Sequence, residues 1–421
     1  MSAPAATDRA RTTPQAATGE AVFTGIGVAA PNGLSTPTWW NAVLRGESGI
    51  RPLSRFDADR YPAPLAGEVP GFVDADHIPS RLLPQTDRMT RLSLAAAREA
   101  LDDSGADLER MDEYTAGVIT ASSAGGFEFG QRELEALWSK GGQYVSAYQS
   151  FAWFYAVNTG QISIRHQLRG PSGVLVTEQA GGLDALAQAR RQLRRGGRLM
   201  VTGAVDSAIC PWGWAAHLAG GRLSTRDDPR RAYLPFSPDA AGEVVGEGGA
   251  LLVLEDADSA RARGARTYGS LAGYAATFDP APGSGGGTRL GAAAELALAD
   301  AGVHADEIDV VFADGAGHRA ADRAEAQAIA TLFGPHGVPV TVPKTMTGRL
   351  SAGGASLDVA AALLSLRDQV VPPTVNVTAP ADDCPIDLVV GRPRPRALRN
   401  ALVLARGRGG FNAAAVLRAA P

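Results

Sequence analysis

The sequence predicts an α/β fold in which one unit is used twice. Three observations carry this. Apolar, β-rich runs alternate with helical patterns; the cycle restarts near residue 268; and a Gly- and Pro-rich segment, 279–288, follows soon after the restart. The first pass opens with a β-rich run at 21–28, ending in the turn Ala29-Ala30-Pro31-Asn32-Gly33. Helical patterns follow at 36–44, 90–104 and 127–140. Residues 114–120 and 199–203 read as short buried strands, and 250–255 as another, after Gly246-Glu247-Gly248-Gly249. The second pass begins at 268–275, strand-like as 21–28 is. Helices at 291–301, 321–332 and 354–366 interleave with strands at 308–313, 338–342, 388–390 and 402–405. Gly407-Arg408-Gly409-Gly410-Phe411-Asn412 then leads into a last strand at 413–417. The repeat is topological, without clear sequence identity between halves. It divides the chain into a tail at 1–20, a first half at 21–267 and a second half at 268–421. On composition alone, 283–287 reads as a flexible surface loop.

Composition narrows the function. With 421 residues, 45% of them hydrophobic, the chain can build one large core or two fused ones. The formal charge is only -4 and no long basic run exists, so nucleic acid is not an expected partner. No apolar run approaches a membrane span, and residues 1–20 lack the apolar core of a secretion signal, reading as a disordered tail. Cys210 and Cys384 are the only cysteines, which suits a reduced cytoplasm. The six histidines are scattered without metal-ligand spacing, so no metal is expected. Lysine occurs only at Lys140 and Lys344, which makes each position worth a reason.

The stretch Val174-Leu175-Val176-Thr177-Glu178-Gln179-Ala180-Gly181-Gly182-Leu183-Asp184-Ala185 reads as an apolar strand, a tight turn and a helix opened by two glycines. Other carriers are Gly160-Gln161-Ile162-Ser163-Ile164-Arg165-His166, Leu234-Pro235-Phe236, Gly246-Glu247-Gly248, Lys344 with Gly348, and Gly409-Gly410-Phe411-Asn412. Together they resemble the thiolase-fold β-ketoacyl synthases. Among these, the chain is similar to the chain-length factor, the ketosynthase-β subunit of bacterial type II aromatic polyketide synthases. The resemblance covers residues 20–420, and 178–185 is its most specific part. It implies a thiolase fold, a duplicated αβαβα five-layer architecture.

In active members of that family, a cysteine at the helix N-terminus carries the acyl chain; the helix-end N–H groups lower its pKa and hold the oxyanion. Two histidines assist malonyl decarboxylation. The resemblance places Gln179 at the cysteine, and Asp314 (in Ala313-Asp314-Gly315-Ala316-Gly317) and Arg349 (in Gly348-Arg349) at the histidines. Neither Gln nor Arg can serve as nucleophile or neutral imidazole, and an Asp would repel an enolate. Condensation in its usual form is therefore excluded on this chain. Two roles stay open for Gln179: an amide that mimics the acylated cysteine and supports malonyl-carrier-protein decarboxylation, supplying an acetyl primer, or a structural plug that satisfies buried N–H groups. Lys344 matches the family's orienting lysine, or forms a buried ion pair holding its loop. Gly409, Gly410 and Phe411 match a gating loop, with Arg408 where active enzymes usually carry Phe. His318 reads as a surface residue at a loop or helix start. Cys210 reads as a small buried hydrophobe, because no Gly-rich turn or helix start presents it.

The resemblance further implies a heterodimer with a ketosynthase-α subunit, a poly-β-ketone chain growing into a tunnel at the interface, and an acyl carrier protein that brings its own phosphopantetheine, so that no other cofactor is needed. Phe127, Gly130 and Leu134 fall on one helical face at i, i+3, i+7 and match the tunnel-lining segment, although a core helix shows the same spacing. Gly130 and Leu134 would leave a roomier tunnel and a longer product. Residues 150–158, dense in aromatics, read as subunit interface or as core.

Overall fold

The structure, a computed structural model, describes residues 19–281 and 287–421; the tail, but for its last two residues, and the 283–287 loop, but for Gly287, lie outside them. The first half contributes β1 (Ala21–Ala29), β2 (Ala116–Ala121), β3 (Ser172–Leu175), β4 (Leu199–Asp206) and β5 (Gly248–Asp256). The second contributes β6 (Gly269–Phe278), β7 (Val310–Phe312), β8 (Pro339–Thr341), β9 (Asp387–Leu388), β10 (Asn400–Gly407) and β11 (Phe411–Ala419). They share one sheet in the order β9-β8-β7-β10-β11-β6-β1-β5-β4-β2-β3. The duplication is visible in the pairing. β1 lies antiparallel to β5, β5 to β4, and then β4, β2 and β3 run parallel. β6, β11, β10, β7 and β8 repeat that sequence of directions, and β1 and β6 join the halves.

The main helices are α1 (Thr36–Arg45), α2 (Arg88–Ser104), α3 (Phe127–Lys140), α4 (Val157–His166), α5 (Gly181–Leu193), α6 (Pro211–Ala219), α7 (Leu290–Ala301), α8 (Arg319–Phe333) and α9 (Ala352–Asp368). Their ends carry local signals. Ser35 caps α1, with Gly46 in the left-handed conformation at its other end, and Asp87 caps α2. Helices α4 and α6 were not foreseen as elements.

β1 and β5 are buried throughout, so they read as continuous apolar runs rather than alternating ones. α2 packs on the outside of the first half's strands and α7 outside the second's. α5 and α9 form the layer between. Every residue of α9 from Ala352 to Leu366 is buried, which a helix of mostly Ala, Gly, Ser and Leu allows. The two central helices meet closely at Gly182, where a Cβ would stand 2.6 Å from the Ser356 nitrogen. One hydrophobic core runs from Phe23 and Leu183 in the first half to Phe312, Leu363 and Leu417 in the second.

Candidate functional site

β3 leads into a single 3-10 turn, Glu178–Ala180, and then α5. Glu178 takes φ +53°, a left-handed conformation that costs a non-glycine residue about 1–3 kcal/mol. The turn directs Gln179 inward, where it is 5% exposed. β8 leads in the same way into the turn Pro343–Met346 and α9, with Arg349 5% exposed and Ser351 at φ +51°. The duplication thus delivers Gln179 and Arg349 to the N-terminal ends of the two central helices. With its carboxamide oriented to satisfy both neighbours, Gln179 donates from Nε2 to the Ser351 carbonyl at 3.1 Å and accepts from Arg349 Nε at 3.2 Å.

Arg349 meets Asp314, which follows β7 in a buried loop. Its Nη2 donates to Oδ1 at 3.0 Å and its Nη1 to Oδ2 at 3.2 Å, a paired geometry that suits a guanidinium and a carboxylate. Nη1 also donates to the Asp314 and Gly315 carbonyls, at 2.9 and 3.2 Å, and Nε lies 3.1 Å from Glu243 Oε2. Asp314 accepts a further bond from the Arg406 backbone N–H at 3.0 Å. Burial alone would raise the Asp314 pKa; the charges of Arg349, Arg406 and Lys344 overcome it and hold the carboxyl at about 2. Asp314 is thus ionised, with its charge offset by these arginines. Beyond it, the buried Glu325 accepts from the Asp314 and Gly315 N–H groups at 2.7 and 3.0 Å and from Arg406 Nη2 at 3.1 Å. Positive and negative groups alternate from Arg408 through Glu243, Arg349, Asp314 and Arg406 to Glu325.

Lys344 Nζ lies 2.5 Å from Asp358 Oδ2 on α9 and donates to the Ala313 carbonyl at 2.8 Å. It is the ion-pair reading that the geometry gives, and through Ala313 it also fixes the residue next to Asp314. Burial pushes Asp358 up to about 6, against the pull of the Lys344 ammonium.

The structure therefore brings Gln179, Asp314, Arg349 and Lys344 into one buried cluster whose polar atoms are engaged with each other. It holds no thiol, and the Lys344 amine and Asp314 carboxylate are tied up in ion pairs. Gly407 and Arg408 border it: a Cβ on Gly407 would stand 2.4 Å from the Thr177 carbonyl oxygen, and the Arg408 N–H donates to Glu178 Oε2, whereas Gly410 and Phe411 pack against Phe278 and Asp279. Sequence reasoning missed Glu178, Glu243, Glu325 and Arg406 as members.

One sequence reading changes and one holds. Cys210 does stand at a helix start: it is the N-cap of α6, and its Sγ accepts from the Gly213 N–H at 3.5 Å. The signal was the following Pro211, a residue favoured at the first helical position. Burial nonetheless pushes the thiol up to about 11, so it is no displaced nucleophile. His318 is the N-cap residue of α8 and is half-buried, with Nε2 3.0 Å from the Arg222 carbonyl.

Phe127, Gly130 and Leu134 stand apart on α3. Gly130 is buried, Phe127 half-buried and Leu134 exposed. Beside Gly130 the Trp212 ring, stacked on Phe127 with centroids 4.5 Å apart, takes the place a side chain would have filled. A Cβ on Gly130 would stand 3.2 Å from Trp212 Cζ3 and 3.7 Å from Trp153 Cβ. Around this stack the surface is aromatic. Trp138 is 84% exposed and Tyr144 60%, while Phe151, Trp153, Phe154 and Trp212 each show more than a third of their area. Exposed apolar clusters of this kind mark contact surfaces. Among the described residues, no helix is long and apolar enough to cross a membrane.

Comparison with known proteins agrees with this geometry. The sequence matches the family described as "Beta-ketoacyl synthase, N-terminal domain" over residues 20–260 and its "C-terminal domain" over 268–378. It is 61% identical to the actinorhodin polyketide beta-ketoacyl synthase 2 of Streptomyces coelicolor, over 94% of this chain and 98% of that protein. It is 59% identical to the tetracenomycin polyketide synthase ketoacyl synthase beta subunit of Streptomyces glaucescens, over the same shares. Among solved structures it is similar to the ishigamide ketosynthase/chain length factor, with a TM-score of 0.86 and 28% identity over 96% of this chain and 99% of the other. A type II ketosynthase solved with its acyl-carrier protein and a hexaketide gives a TM-score of 0.85 and 26% identity, over 96% and 100% of the two chains. A duplicated fold with paired central helices, and relatives this similar over nearly their whole length, leave one conclusion: the chain belongs to the beta-ketoacyl synthase family and has the thiolase fold.

Proposed function

We propose that this chain is the non-condensing subunit of a polyketide ketosynthase heterodimer, a chain-length factor whose α3 face walls a tunnel shared with an active ketosynthase-α subunit. One observation carries the reading: the side chains at the three catalytic positions, Gln179, Asp314 and Arg349, spend their hydrogen bonds on one another and on their surroundings. A kept fold with an occupied site does its work elsewhere. The exposed aromatic surface around Phe127 and Trp212 is the surface suited to that work, because aromatic side chains anchor subunit contacts. The growing poly-β-ketone, attached to the partner, would end against Trp212 and Phe127 rather than over Gly130. An acyl carrier protein brings the extender units and the phosphopantetheine, so this chain has no cofactor of its own. The names of the relatives support the pairing, as second ketosynthases and a beta subunit.

The test is co-expression with a ketosynthase-α subunit of a type II polyketide synthase and the native mass of the product. A one-to-one heterodimer supports the reading; a homodimer or a lone monomer refutes it. In the alternative, malonyl-carrier-protein decarboxylation through Gln179, the carboxamide stands in for the acylated cysteine. That carboxamide is engaged on both sides, donating to the Ser351 carbonyl and accepting from Arg349 Nε, which favours the plug. Gln179→Ala should therefore leave the yield of the reconstituted pair unchanged, and a loss of acetyl priming would restore the decarboxylase.

A further inference from the structure

We infer that Asp87 is a positioning residue for chain length: its one buried carboxylate ties the N-terminal ends of α2 and α3 together and so sets where the wall of Phe127 and Trp212 stands. The consequence rests on the tunnel reading above; the cause is side-chain geometry. α3 starts after Gly126 with no side-chain cap of its own. The N–H groups in a helix's first turn have no acceptor within the helix. Asp87, 42 residues upstream of Phe129, supplies one: its Oδ2 accepts from the Phe129 N–H at 2.8 Å. Its Oδ1 accepts from the Met89 N–H, also at 2.8 Å, and caps α2. Asp87 and Phe129 are both buried, so water does not replace either bond. Glycine permits the approach: a Cβ on Gly126 would stand 3.0 Å from Asp87 Cβ and 2.3 Å from the Ala152 carbonyl oxygen.

The carboxylate is itself held from behind. Arg88, the next residue, donates to Glu247 Oε1 from Nε at 3.0 Å and from Nη2 at 2.7 Å. Glu247 is fully buried just ahead of β5, and it also accepts from the Ser207 hydroxyl at 2.6 Å and the Val69 N–H at 2.9 Å. Residues 87 and 88 are thereby pinned to the sheet. Arg55 adds a second tie from the same anchor to the same helix turn, donating to Glu247 at 3.4 Å and to Glu128 on α3 at 2.6 Å. On its outer side α3 passes its position on: Gln131 Oε1 accepts from the Trp212 N–H at 2.9 Å, so the start of α6 follows α3. Phe127, Gly130 and Trp212 thus take their places from one anchored turn. Burial pushes the Asp87 carboxyl up to about 6, against the pull of its two N–H donors, with Glu128 raising it and Arg132 lowering it. At pH 7.5 it is ionised, the state in which both oxygens accept.

Asp87→Ser separates the two bonds. Serine is a favoured N-cap and still holds the Met89 N–H, but its single, shorter hydroxyl does not also reach Phe129. The variant is read at pH 7.5 in the full chain paired with a ketosynthase-α subunit. Hydrogen exchange at the Phe129 amide should quicken about tenfold or more, as for loss of a bond to a charged acceptor. The product lengths of the reconstituted synthase, read by mass spectrometry and normalised to total product, should spread to chains that differ by at least one extender unit. Ser35→Ala removes the cap of α1, which is a helix apart from this anchor, and controls for lost stability; it should keep the parent's length distribution. Unchanged exchange at Phe129, the same spread in Ser35→Ala, or no spread in Asp87→Ser where Trp212→Ala does shift the products, overturns the inference and leaves the tunnel standing. Quickened exchange with no change of length in either Asp87→Ser or Trp212→Ala brings down the tunnel reading and this inference with it. The unmodified complex needs no variant: its Phe129 amide should be protected, and exchange at the rate of free peptide would overturn the anchor.

Discussion

Removing Arg349 gives the sharpest test of the occupied site. Arg349→Ala takes away the cation shared by Asp314 and Glu243, whose side chains are 3% and 7% exposed. The Asp314 and Gly315 carbonyls and the Gln179 carboxamide each lose a donor as well. Breaking a buried pair by deleting one partner costs about 3–5 kcal/mol. Here each acid keeps another partner, Asp314 the Arg406 N–H and Glu243 the Arg408 guanidinium, so the lower end, about 3 kcal/mol, is expected. Unfolding entropy of about 2 cal/mol/K per residue converts this, for a chain of this length, into a fall of roughly 3–4 °C in Tm. The assay is thermal and urea unfolding of the heterodimer at one fixed concentration, because the partner shifts apparent stability by mass action. Arg349→Met combined with Asp314→Leu exchanges the pair for apolar groups and leaves Glu243 with Arg408 and Arg406 with Glu325. It should recover most of the loss. A single variant within about 0.5 kcal/mol of the parent, or a double variant worse than the single one, would refute the reasoning.

Three further outcomes are expected. Trp212→Ala empties the space over Gly130 and should shift the native pair toward longer polyketides by at least one extender unit, read by mass spectrometry of the products; an unchanged distribution would remove Trp212 from the tunnel. Asp322, whose carboxylate accepts from the Phe236 and Gly317 N–H groups, has its pKa pushed by burial up to about 7 from 3.8. With the folded value raised, its contribution is fully present below pH 3.8 and is lost as pH rises toward 7, so Asp322→Asn should flatten the fall in Tm over that window. For Asp314 the sign reverses. Its folded value of about 2 lies below 3.8, so its stabilisation is present above pH 3.8 and is lost as pH falls toward 2. Asp314→Asn should weaken that acid-side decline, and an identical decline in both proteins would count against the ion pair.

Much of the fold was legible because its elements carry local signals. The helix at 127–140 is bounded as expected, and the strand-turn-helix at 174–186 follows from an apolar run, an inward turn and two glycines. The turn carries the cost of a left-handed Glu178 that no propensity would have suggested. The site was half legible. Gln179, Asp314 and Arg349 could be named by resemblance, but their mutual bonding could not. Asp314 and Arg349 are 35 residues apart, and Asp314 and Arg406 are 92 apart; such pairs arise from the duplicated topology and leave no periodicity in the sequence. For the same reason the neighbour of Gly130 could not be foreseen: Trp212 reaches it from α6, far along the chain.

The alternating charges behind Gln179 also make the loss of catalysis hard to reverse. Restoring a cysteine at residue 179 would place a thiol against Arg349 and Ser351, with no imidazole to work beside it. Returning a histidine at Arg349 would take the shared guanidinium from Asp314 and Glu243, and returning one at Asp314 would leave Arg349 facing another potential cation. A step back at Arg349 or at Asp314 removes one side of a buried ion pair, and only their combination could repair the deficit. The network acts as a ratchet: once assembled, it resists any piecemeal return of the Cys and His groups.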